Sequence, residues 1–168
     1  MTTQTPDPTM TDIAAAVTLG RAGDTEAARA RLRRLWDRIG PAGDPFHRCT
    51  LAHYMADLHE DPAEALVWDT RALDAAEALT DDRVRQHQAT LRIAAFHPSL
   101  HLNLADDFRR LSSFPAATTH ITAARAHQHA LADDDYGNLI RRAIEEVAEA
   151  ITQRSTTPRP TAPGPTTR

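Results

Sequence analysis

Apolar residues recur along this chain at spacings of three and four, and each run stops at a short punctuation of Asp, Gly, Pro or Ser. Ala28, Leu32, Leu35, Trp36 and Ile39 make one stripe, and Ala65, Trp68, Ala72, Ala75, Ala76 and Leu79 make another. A third, through Leu139, Ile140, Ala143, Val147 and Ile151, is backed by Arg141, Arg142, Glu145, Glu146 and Glu149, the pattern of a closing helix with a polar outer face. The pattern predicts helices over 11–22, 25–39, 45–58, 62–79, 83–95, 98–111, 115–130 and 136–153, and no strand. Asp44-Pro45 and Asp61-Pro62 supply a capping carboxylate followed by a proline whose missing N–H costs nothing in a first turn, and Asp24 and Ser113 stand in the same position. The 83–95 run is either a separate helix or a collinear extension of 98–111 kinked at Pro98; the kink preserves the alternating up-down order and is the preferred reading.

Residues 1–10 and 155–168 combine Pro and Thr with almost no apolar side chain, so both ends are expected to be disordered around one folded domain at 11–154. Within that domain one phrase recurs three times: an apolar helix, a short Asp/Gly/Pro/Ser turn, and an Ala-rich helix, at 19–28, 56–65 and 108–117. A single helix hairpin cannot bury its own apolar face, so repetition predicts an all-α stack of hairpins.

The phrase resembles the tetratricopeptide repeat family. The third unit matches best, with Leu104, Ala105, Phe108, Ala117, Ile121 and Ala124 at the family's packing positions. The first keeps Ala16, Leu19, Gly23, Ala28 and Leu32. The second keeps Ala52, Ala56, Ala65 and Ala72, but places His53 where a small residue is usual and Asp69 where a large apolar one is usual. The resemblance implies α-helical hairpins stacked as a short right-handed superhelix with a C-terminal capping helix, and a protein- or peptide-binding scaffold without chemistry of its own. In this family the first helix of each pair lines a concave groove, which would expose His47, Thr50, Tyr54, Asp57, Ser99, Leu102, Asp106 and Arg109. Tyr54 would then give a stiff contact, the acids would select a basic or amide-rich segment, and Arg109 would orient an acidic or terminal group.

Composition narrows the partners. The 168 residues carry a net charge of -4 with a pI near 6.1, so no global positive field draws the chain to nucleic acid or anionic lipid. All 19 basic residues are Arg, a composition of GC-rich, actinobacterial-type genomes. Cys49 is the single cysteine, which excludes an intrachain disulfide and suits a reducing cytoplasm. No leader pattern or membrane-length apolar run is present. Charge is polarised: arginines crowd 21–38, while acids crowd 57–82 around Arg71, and most of these charges are expected to solvate outer helix faces.

No catalytic residue, cofactor or metal is expected. Cys49, His53 and Asp57 share a face at i, i+4 and i+8, but no HExxH motif or further donor completes a shell, and no Gly-rich elbow surrounds a serine. His97 and His101 are four apart, with His97 read as a helix cap before Pro98; His127 and His129 are two apart and face different directions. The alternative role is self-association as a homodimer, because Leu91, Ile93 and Phe96 have no obvious partner within three hairpins.

Overall fold

The computed structural model describes residues 7–79 and 95–160. These residues form α1 (Pro8–Arg21), α2 (Thr25–Ile39), α3 (Pro45–Ala56), α4 (Pro62–Glu77), α5 (His97–Arg110), α6 (Phe114–His127) and α7 (Asp135–Thr152), with a 3-10 turn at Gln128–Ala130. All regular structure among the described residues is helical. Among the described residues, no helix is long and apolar enough to cross a membrane.

Aspartate caps account for most of the starts. Asp7, Asp24, Asp44, Asp61 and Asp134 each accept hydrogen bonds from first-turn amides, and Pro follows directly at three of these sites. Asp7 was not anticipated: α1 begins at Pro8 rather than at 11, because this carboxylate takes the amides of Thr9 and Met10 at 3.0 and 3.1 Å. Two expected caps are corrected. Ser113 occupies an N-cap position without a side-chain cap bond, and His97 lies inside α5, whose N-cap is Phe96. Asp61→Ala, which removes an exposed cap bonded to the Ala63 amide at 2.8 Å, is expected to lower unfolding free energy by about 1 kcal/mol in urea titration.

Consecutive helices pair as hairpins: α1 with α2, α3 with α4, and α5 with α6, while α4 bears on α5 and α7 lies against both α5 and α6. The first two hairpins share a core that includes Ile13, Leu32, Leu35, Leu51, Met55, Trp68, Ala72 and Leu100. A second core joins Leu102, Ala105, Ala117 and Ile121 to Ile144, Val147 and Ile151 of α7. The small positions let backbones approach closely: a Cβ on Gly20 would meet Leu58 Cδ2 at 2.8 Å, so this glycine sets the contact between α1 and the turn after α3. Trp36 and Trp68 meet edge to face at 5.2 Å between centroids, with Arg48 over Trp36 at 4.4 Å and Arg71 over Trp68 at 4.5 Å. The base isolated among acids in the sequence thus stacks on an indole.

Phe96, expected to lack a partner, packs against Phe46 at 6.2 Å. Leu91, Ile93 and the question of a kinked 83–95 extension lie outside the described residues. At the C-terminal side, residues 155–160 run along the fold instead of leaving it, because the Arg109 guanidinium holds the carbonyls of Ser155 and Thr157 at 2.6 and 2.9 Å.

Candidate functional site

Polar residues are packed where α3, α4 and α5 meet. Asp69, the misfit of α4, is 2% exposed and accepts a hydrogen bond from Asn103 Nδ2 at 3.3 Å. One turn along α5 from Asn103, Asp107 is 5% exposed and faces Asp69. Asp107 Oδ2 receives no hydrogen bond from an amide, hydroxyl or basic group. Two carboxyls in contact can bond only through a proton that one of them retains. Burial pushes Asp107 up to about 7 and drives Asp69 well above the usual carboxylate range, with the second carboxylate adding to the effect on Asp69. The two titrate as a pair.

Asp57, at the end of α3, adds a third carboxyl, also raised by burial and opposed by His53 and Arg21. His53, the other misfit, points Nδ1 toward Asp69 Oδ1 at 3.9 Å, and that nitrogen is buried without a hydrogen bond. No described guanidinium comes within salt-bridge distance of Asp57, Asp69 or Asp107. Tyr54 rises next to this group from α3 and stacks obliquely on His53 at 5.9 Å. Tyr136, at the start of α7, is exposed along its ring while its hydroxyl is near Ser99, Tyr54 and Asp57, and burial of that hydroxyl raises its pKa.

The expected groove residues therefore separate into two sets. Tyr54 and Asp57 are partly exposed beside the buried acids. His47 is already bound, with Nε2 2.7 Å from Asp7 Oδ2, and Thr50 has a buried hydroxyl without a partner. Ser99, Leu102 and Arg109, expected to be exposed, are buried. Leu102 is taken into the second core by α7, and Ser99 Oγ donates to Phe96 O at 3.0 Å. Arg109 is 0% exposed; its Nε and Nη2 donate to Asp106 at 3.1 and 2.6 Å, which occupies both the arginine and the acid assigned to a ligand. Asp107, one position on, is the acid of α5 with no described base within salt-bridge distance; the register that puts it four residues after Asn103 was the available signal.

Cys49 is buried in the core with its thiol pushed up to about 12 by desolvation, so it offers neither a nucleophile nor a thiolate ligand. A concavity of about 380 Å3 on the first hairpin is lined by Asp12, Arg31, Arg34, Leu35 and Arg38. Asp12 pairs with Arg31 at 3.4 Å and Arg38 at 2.8 Å, and with Arg34 the lining keeps a net positive charge.

A second polar group escaped the sequence reading altogether. Because α5 and α6 are antiparallel, the start of one lies against the end of the other, and His97, His101, His120 and His127 converge. Ring centroids are 5.0 Å apart for His97 and His127, 6.0 Å for His97 and His101, 6.0 Å for His101 and His127, and 5.3 Å for His101 and His120. Burial lowers the pKa of His97, His101 and His120, and His101, crowded by three other imidazoles, falls to about 4. His129 faces away, with Nδ1 on Ala126 O at 2.9 Å.

Comparison with known proteins adds nothing to this geometry: no family model, no curated protein and no solved structure matches the chain.

Proposed function

We propose that the protein is a non-catalytic scaffold of tetratricopeptide-like hairpins, stacked as a short right-handed superhelix, that binds a cationic peptide or protein segment in the cytoplasm. The observation that carries this reading is the set of three carboxyls, Asp57, Asp69 and Asp107, gathered with no described guanidinium within salt-bridge distance and with His53 no nearer than 3.9 Å to Asp69. Buried acids of this kind are costly in an isolated domain and become favourable when a partner brings the missing charge. An arginine or lysine head group reaching this junction would pair with a carboxylate, and its stem would lie along Tyr54 and Tyr136. Two tyrosines supply large contact area with few rotatable bonds to order. The sequential pairing of α1–α2, α3–α4 and α5–α6, closed by α7, supports the repeat reading.

Selection from a random peptide library on the immobilised full chain tests this. Arg- or Lys-containing peptides are expected to be recovered, and the double variant Asp57→Asn, Asp107→Asn is expected to bind them at least about tenfold more weakly. Equal binding by the double variant, or recovery of peptides without basic residues, contradicts the assignment.

A further inference from the structure

The four histidines are an expensive way to fill a hairpin interface. Each imidazole carries two nitrogens that need partners when buried, and leucine would fill the same space without that demand. One such partner is another histidine: His101 Nδ1 lies 3.0 Å from His120 Nδ1, so one ring donates to the other, while His97 Nδ1 is buried with no hydrogen bond. Phe108 stacks on His120 at 5.4 Å and closes the apolar side of the group. Glu77 from α4 adds negative charge near His97.

One nitrogen from each of His97, His101 and His127 lies within 4.8 Å of the other two, and among the described residues this is the one group of three or more donors to converge so closely. Ligands of a tetrahedral zinc ion, at about 2.0–2.1 Å from the metal, stand about 3.3 Å from one another, so small side-chain rotations bring the three nitrogens to binding distance. We propose that His97, His101 and His127 form a binding site for a borderline divalent transition-metal ion of the zinc class. With its Nδ1–H donated to His120 Nδ1, the His101 ring is held in place and its Nε2 lone pair is left for the ion, as second partners of metal-bound imidazoles commonly do. Imidazole donors without thiolate or convergent carboxylate favour zinc, nickel or copper over magnesium or calcium. The spacing reads as His-x3-His on α5 and a single histidine from the end of α6, so the ion would clasp the open end of that hairpin. This site is separate from the carboxyl junction, and its test does not depend on peptide binding.

The experiment uses the full chain without a polyhistidine tag, freed of metal with chelator and titrated with zinc chloride at pH 7.5 by calorimetry. One ion per chain is expected, with affinity reduced by about 30-fold or more in His101→Gln and in His127→Gln and unchanged within about twofold in His129→Gln. Circular dichroism of each variant confirms its fold. A second measurement uses wild type alone: zinc is expected to protect His97, His101 and His127, but not His129, from diethyl pyrocarbonate modification mapped by mass spectrometry. Absence of stoichiometric uptake at about 0.1 mM zinc, or uptake with no protection of these three side chains, overturns the assignment.

Discussion

Arg109→Ala is expected to cost about 3 kcal/mol of unfolding free energy, the largest loss from any single substitution considered. Its guanidinium is wholly buried and satisfied on two sides: Asp106 accepts from Nε and Nη2, and the carbonyls of Ser155 and Thr157 accept from Nη1. Truncation leaves the Asp106 carboxylate and two carbonyls without their donor, and the desolvation of such groups is the expensive part of breaking a buried pair. Arg159, whose Nε is 3.9 Å from Asp106, is too distant to replace the lost fork. Residues 155–157 should also gain amide exchange and protease sensitivity, because their attachment to α5 passes through this side chain. Urea titration with a change below about 0.5 kcal/mol would remove Arg109 from its structural role.

Asp107→Asn is expected to stabilise the protein at alkaline pH and to leave it nearly unchanged below about pH 4. The folded-state pKa values of Asp107 and Asp69 are raised, so the folded protein holds protons that the unfolded chain has released. Stability from these groups is present in full below the unfolded value near 3.8 and is lost as pH rises through about 7 and beyond. The depressed histidines act with opposite sign: His101 contributes stability above its unfolded value of 6.5 that is lost as pH falls toward about 4. Above about pH 7.5, a full unit over the unfolded histidine value, the lowered pKa values of His97, His101 and His120 add little further stability, and the raised carboxyls set the slope. Wild type should lose stability across pH 7.5 to 8.5, and the amide variant clearly less. His53, Asn103, Arg110, Asp57 and Asp106 surround the pair and remain in the variant. A wild-type melting temperature that is flat or rising from pH 7.5 to 8.5 would contradict the raised carboxyl pair.

What could be read in the sequence was what local physics decides. Asp-Pro caps, apolar stripes and the Ala-rich second helices depend on neighbours within a few residues, and the corresponding helices begin and end within three residues of the expected bounds. His53 and Asp69 stood out as residues that the repeat pattern could not place, and both lie at the buried carboxyl junction. The rest required long-range contacts. Leu102 and Arg109 lost their expected exposure because α7 and residues 155–157 return over α5, a packing that no feature of α5 itself announces. The histidine cluster depends on pairing the start of α5 with the end of α6. Spacings of four between His97 and His101 and of seven between His120 and His127 put each pair on one helix face, and joining them needed the hairpin geometry as well. Reading His97 as a cap and His127 beside His129 separated residues that the fold brings together.

The claim that the carboxyl junction receives a cation makes a direct thermodynamic demand. A guanidinium or ammonium that pairs with Asp69 and Asp107 must lower their pKa values and expel the proton they share. Calorimetric titration of the full chain with a short arginine-containing peptide at pH 6.5, in buffers of different ionisation enthalpy, measures that proton. Proton release on binding, reduced by Asp107→Asn, is the predicted result. Binding with no proton release, or with the same release in the variant, would place the peptide elsewhere and contradict the account.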